Sequence, residues 1–64
     1  MRRICTAVEL GGTIEMFDAG SDDLGRLLRA VVVNGRRLND ADGLPAVFRS
    51  DFAAWAAARK AIAS

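Results

Sequence analysis

Over the first seventeen residues β-branched and apolar side chains fall in partial alternation, the pattern of strands. In RRICTAVEL (2–10), Ile4, Thr6, Val8 and Leu10 share one face, while Cys5, Ala7 and Glu9 share the other. Gly11-Gly12 follows, a dipeptide that tolerates the positive φ angles of a tight turn. TIEMF (13–17) then resumes the alternation, with Ile14 and Met16 on one side. The pattern predicts an N-terminal β-hairpin.

The period then changes. In DAGSDDLGRLLRAV (18–31), Leu24, Leu27, Leu28 and Val31 follow the i, i+3, i+4, i+7 rule of a helix stripe. Ser21 is placed as an N-cap, with Asp22 and Asp23 at the positive end of the helix dipole. Arg26 and Arg29 lie opposite the leucines, and Asp22–Arg26 forms a favourable i,i+4 pair. This predicts a half-buried helix from Ser21 to about Ala30, although Gly25 costs it up to ~1 kcal/mol of propensity. VVVNGRRL (31–38) admits two readings. Asn34-Gly35 is either the C-cap of that helix or a type I′ turn pairing Val33 with Arg36 and Val31 with Leu38. The three valines tip the balance to an extended segment from Val31 to Leu38.

NDADGLP (39–45) is a loop of turn formers. Ser50 then caps a final helix, with Asp51 in its first turn and Arg59 and Lys60 near its C-terminal end. At 100° per residue, Phe52, Trp55, Arg59, Ile62 and Ala63 fall in one arc, and alanines cover most of the remainder. Phe52, Trp55 and Ile62 are expected to dock on the sheet or on the leucine stripe. Arg59 then runs along Trp55 with its guanidinium at the edge, available for contact. The fold class expected is a small single α+β domain over residues 1–64. Its order is hairpin, helix, short extended segment or hairpin, and alanine-rich helix.

Sixty-four residues leave little to bury, and so small a chain usually leans on disulfides, a metal or a partner. Cys5 is the only cysteine and there is no histidine, so neither a disulfide within the chain nor a zinc site is expected. Without histidine the usual neutral-pH acid–base group is missing, and Cys5 has no base to activate it. Cys5 is therefore read as a buried, inert thiol in a strand. The pairs Asp22/Asp23 and Asp40/Asp42 are explained by a helix start and a turn. Aligned to a calcium loop, Asp40, Asp42 and Gly43 put Leu38 and Arg49 where end ligands belong, so that reading fails. Gly11-Gly12 lacks the lysine and the helix of a phosphate loop. No enzyme, cofactor, metal or small-molecule substrate is expected. There is no signal-peptide pattern and no apolar run long enough for a membrane span, and with a lone cysteine the expected location is the cytoplasm.

Charge suggests two kinds of partner. Arg26, Arg29, Arg36 and Arg37 form a basic block, joined by Arg59 and Lys60, yet the formal net charge is only +1. A DNA- or RNA-binding regulator is the second choice, since no aromatic residues interleave these cations for stacking. The first is a non-enzymatic module that binds a protein or itself, because Trp and Arg dominate interface hot spots. Trp55, Arg59, Arg26, Arg29, Arg36 and Arg37 are the candidate contact residues. Eight arginines against one lysine, with twelve alanines, suggest a GC-rich bacterial or phage gene. A small accessory protein that inhibits or regulates a larger complex, an anti-CRISPR-like inhibitor being one form, fits that source. A structural subunit of a homo-oligomer is the third choice.

Overall fold

The computed structural model describes residues 1–9 and 11–64. Strands β1 (Arg2–Glu9), β2 (Gly12–Ser21), β3 (Leu27–Val33) and β4 (Arg36–Arg37) form one antiparallel sheet in the order β1-β2-β3-β4. Helix α1 (Asp51–Ala63) closes the chain and packs on one face of that sheet. The α+β class and the N-terminal hairpin stand as the pattern predicts. Leu10, assigned from sequence to the Ile4 face, lies outside the described residues.

Strand pairing sorts the side chains. Ile14 pairs with Val33 and Met16 with Val31, and these four form the buried layer beneath α1. Ala7 and Cys5 lie on the same face, opposite Ile14 and Met16. Thr6, Val8, Thr13, Glu15, Phe17, Ala30 and Val32 take the other face, which no helix covers. The register shifts between Arg3 and Cys5, so Arg3 joins the open face, where it pairs with Glu15 at 3.3 Å.

The central helix expected from Ser21 to Ala30 is absent: β2 runs on to Ser21, a loop follows, and Leu27 opens β3. The leucine spacing matches a helix, but two local features override it. The Asp22 carboxylate accepts from the amides of Leu24 (2.9 Å) and Arg26 (2.8 Å) and from Arg26 Nε (2.8 Å). Its backbone also bonds both ways across the loop, to Arg26 and Gly25. Gly25 has φ +75°, outside the helical region. Asp22 is thus the hub of a hairpin loop, an alternative to helix that short acidic side chains offer the backbone. Leu24 and Leu27, expected in a buried stripe, are 76% and 55% exposed.

Of the two readings for VVVNGRRL, the hairpin is the one formed. Asn34 and Gly35 have φ of 51° and 81°, the paired positive angles of a type I′ turn. Val33 pairs with Arg36, and the Leu38 amide donates to the Val31 carbonyl at 3.0 Å. Asp40 turns NDADGLP by accepting from the amides of Asp42 and Leu44. The chain then returns along β3, with Phe48 and Arg29 exchanging backbone hydrogen bonds of 2.7 and 2.8 Å.

A substitution at Gly25 separates loop from helix. In a helix Gly25→Ala adds up to ~1 kcal/mol of stability. With φ positive it removes about 1 kcal/mol or more instead. Urea unfolding of Gly25→Ala is expected to show a lower midpoint with an unchanged slope.

Candidate functional site

α1 begins where the sequence places it. Ser50 is extended (φ −152°, ψ 156°) and its hydroxyl accepts from the Ala53 amide at 3.0 Å, a standard N-cap. Asp51 in the first turn holds Arg29 of β3 through Nε at 3.0 Å, and Arg29 also approaches Asp18 of β2 at 3.7 Å. One largely covered guanidinium therefore ties the helix start to two strands.

The helix is rolled relative to its expected orientation. Ala54 and Ala58 face the sheet with no exposed surface, with Ala61, Trp55 and Ile62 packed beside them. Helical geometry puts the centre of that face roughly a quarter-turn from the Phe52–Trp55–Arg59–Ile62 arc. Trp55 and Ile62 still reach the core from its margin. Phe52 does not, and contrary to expectation it is 85% exposed. Phe52 and Arg59 therefore lie on one flank of α1.

That flank looks toward β1. Arg59 Nε donates to Glu9 Oε1 at 2.7 Å and its NH2 to Oε2 at 3.2 Å, a bidentate pair across the gap between helix and strand. The same guanidinium lies over the Trp55 ring, 5.8 Å from its centroid, at cation–π distance. Arg59 holds the Glu9 carboxyl below its ordinary range, and Glu9 in turn raises the Arg59 pKa. A depressed carboxylate favours the folded state at neutral pH, and that contribution is lost as pH falls through the lowered value. The Trp55–Arg59–Glu9 cluster is a fixed platform, with the phenyl ring of Phe52 exposed beside it.

Opposite this platform lies a strand without cover. No residue of β1 is buried, with Ile4 44% and Val8 77% exposed. Cys5 is exposed as well, not the buried thiol expected, because α1 sits over β2 and β3 and leaves β1 overhanging.

The basic block is not one patch. Arg26 is bonded to Asp22 and Arg29 to Asp51, at the end of the sheet where α1 starts. Arg36 and Arg37 lie at the other end, on β4, and make no ion pair among the described residues. They border a hollow of about 590 Å³ with Asn34 and Asn39, next to an apolar groove of about 460 Å³ between α1 and residues 38–48. Lys60 lines that groove. Of the candidate residues, Trp55 and Arg59 meet each other, while the other four divide between two ends of the sheet. Sequence reasoning missed Glu9, whose one signal was an acid on an otherwise apolar strand face. It also missed the exposed Phe52.

The platform predicts a separation of effects. Trp55→Ala removes packing and lowers stability by about 2 kcal/mol or more. Arg59→Ala leaves the melting temperature nearly unchanged, while an NMR titration shows Glu9 returning to the ordinary carboxylate range. An unchanged Glu9 titration in that variant contradicts the clamp.

No protein-family model matches this chain, and neither a curated protein nor a solved structure matches it.

Proposed function

We propose that this chain is a non-enzymatic protein-binding module that inhibits or regulates a larger protein or nucleoprotein complex by occupying part of its surface. The contact is the α1 flank of Phe52, Trp55 and Arg59. The single observation that supports this reading is Phe52, an aromatic side chain 85% exposed on a capped helix, beside a clamped Trp–Arg pair. An aromatic ring in water forgoes about 1.5–3 kcal/mol that burial against a partner recovers. Tryptophan and arginine held in place are the residues that most often dominate such contacts.

The chemistry of the remaining groups is consistent with a binding role. Asp22 and Asp40 use their carboxylates to hold loop amides, and Asp51 and Glu9 are tied to arginines. An exposed lone thiol suits the reducing cytoplasm, where we place the protein. Among the described residues no helix is long and apolar enough to cross a membrane. Size and an arginine- and alanine-rich composition accord with a phage or bacterial accessory protein, anti-CRISPR-like inhibitors among them.

Immobilised wild-type protein and its Phe52→Ala and Arg59→Glu variants are to be compared for capture from the native host's lysate. Either substitution is expected to weaken capture of the same partner by at least about 30-fold, equivalent to ~2 kcal/mol, with little change in melting temperature. Sub-micromolar binding of duplex DNA at physiological salt, abolished by reversing Arg36 and Arg37 to Glu, replaces this reading with the nucleic-acid one.

A further inference from the structure

β1 is eight residues long, has no buried residue, and is the outermost strand on its side of the sheet. An unpaired edge offers a row of free N–H and C=O groups, and native edges are usually guarded by charge, proline or a bulge. Here the guards are at one end: Arg2, Arg3 and the irregularity between Arg3 and Cys5. From Cys5 to Glu9 the pairing with β2 is regular, and Glu9 carries the one charge.

The phase of the free amides follows from the hairpin. Glu9 pairs with Gly12 across two intervening residues, so this flanking pair exchanges hydrogen bonds and Glu9, Ala7 and Cys5 turn their amides toward β2. The far side of β2 fixes the same phase independently. The Thr13 amide donates to Asn34 Oδ1 and its carbonyl accepts from the Asn34 amide, both at 2.9 Å, so Thr13 faces away from β1. Thr6 and Val8 therefore point N–H and C=O outward, into solvent.

We propose that β1 is the contact between two copies of this chain, paired antiparallel about a two-fold axis at Ala7 to form one continuous eight-stranded sheet. A two-fold axis normal to the sheet keeps its two faces distinct, so it joins only residues that point the same way. The regular stretch Cys5–Glu9 has Ala7 at its midpoint. In this register Thr6 of each copy lies opposite Val8 of the other, giving about four main-chain hydrogen bonds from the outward groups. Both are β-branched and share the open face, a favourable cross-strand combination. Small Ala7 meets itself at the close, non-hydrogen-bonded position. The ends are compatible in charge as well: this register keeps the Arg2–Arg3 ends of the two strands apart, each beside the turn that follows Glu9 of the other copy. A parallel pairing would set arginine beside arginine. The two helices then lie on the same side of the joined sheet with their flanks turned toward each other, their axes about four strand spacings or roughly 20 Å apart. The inference stands independently of the partner-binding reading, because it uses main-chain groups of the strand edge and needs no contact from Phe52.

Edge pairing of this length buries less than about 1,200 Å², the class of weak association, so dimerisation is expected in the micromolar range. Sedimentation velocity from 1 µM to 1 mM is expected to show a reversible monomer–dimer shift. Val8→Pro removes an outward N–H without breaking a β1–β2 bond, so it is expected to leave a folded monomer across that range. Thr6→Pro is the second variant, should Val8→Pro melt early. In a Cys5→Ser background, Ala7→Cys is expected to form an intermolecular disulfide under mild oxidation, while Thr6→Cys does not. A protein monomeric at 1 mM overturns the proposal. So does a dimer that survives both proline variants, or one that Ala7→Cys fails to trap.

Discussion

A helix approaches a sheet closely only where the side chains between them are small. Here the contact is Ala54 and Ala58 against Ile14, Met16, Val31 and Val33. Three of those four sheet residues are the largest side chains with under 2% exposure anywhere in the described chain. The core is one thin layer, and α1 must lie directly over β2 and β3 to close it. The Arg29 bridge to Asp51 and Asp18 fixes the start of the helix over those strands. The Arg59–Glu9 pair bridges its later turns to the end of β1.

Placing α1 there has a cost elsewhere. A single helix cannot cover four strands, so β1 projects beyond it with Cys5 and Ile4 exposed. Turning alanines inward also rotates Phe52 outward. The exposed aromatic flank and the uncovered strand are two consequences of one packing choice, and both present apolar surface that a second chain can bury. Arg59 belongs to both descriptions. It closes the gap between helix and strand as a structural clamp, and it forms the charged margin of the exposed flank.

Much of the fold is legible in the amino-acid order where local chemistry and tertiary packing agree. Alternation through Glu9 and again from Thr13 marks the first hairpin, and Ser50 marks the start of α1. Between Ser21 and Val31 they disagree. Leu24, Leu27, Leu28 and Val31 have helical spacing, but Leu28, Ala30 and Val32 against Arg29, Val31 and Val33 is an equally valid strand alternation. Asp22, with its bonds to Leu24 and Arg26, together with the positive φ of Gly25, decides for the strand. Those are geometric facts that spacing alone does not carry. The site was half legible for the same reason. The pairing of Trp55 with Arg59 follows from their i,i+4 positions on a helix. The exposure of Phe52 depends on which alanines the sheet selects, and that becomes visible only with the helix docked. The arginine block reads as one patch in sequence because 26, 29, 36 and 37 are close in number. The Asn34-Gly35 turn and the length of β3 carry its halves to opposite ends.

β1 is anchored to β2 on its inner edge alone, which leaves its outer edge open to a second copy of this chain. Amide hydrogen exchange resolved by residue tests this most directly. In dilute solution Ala7 and Glu9, bonded to β2, are predicted to exchange slowly, while Thr6 and Val8 exchange at nearly unprotected rates. Raising the protein concentration is predicted to protect Thr6 and Val8 selectively. Equal protection of all four amides in dilute solution, or no gain at Thr6 and Val8 on concentration, would contradict the account.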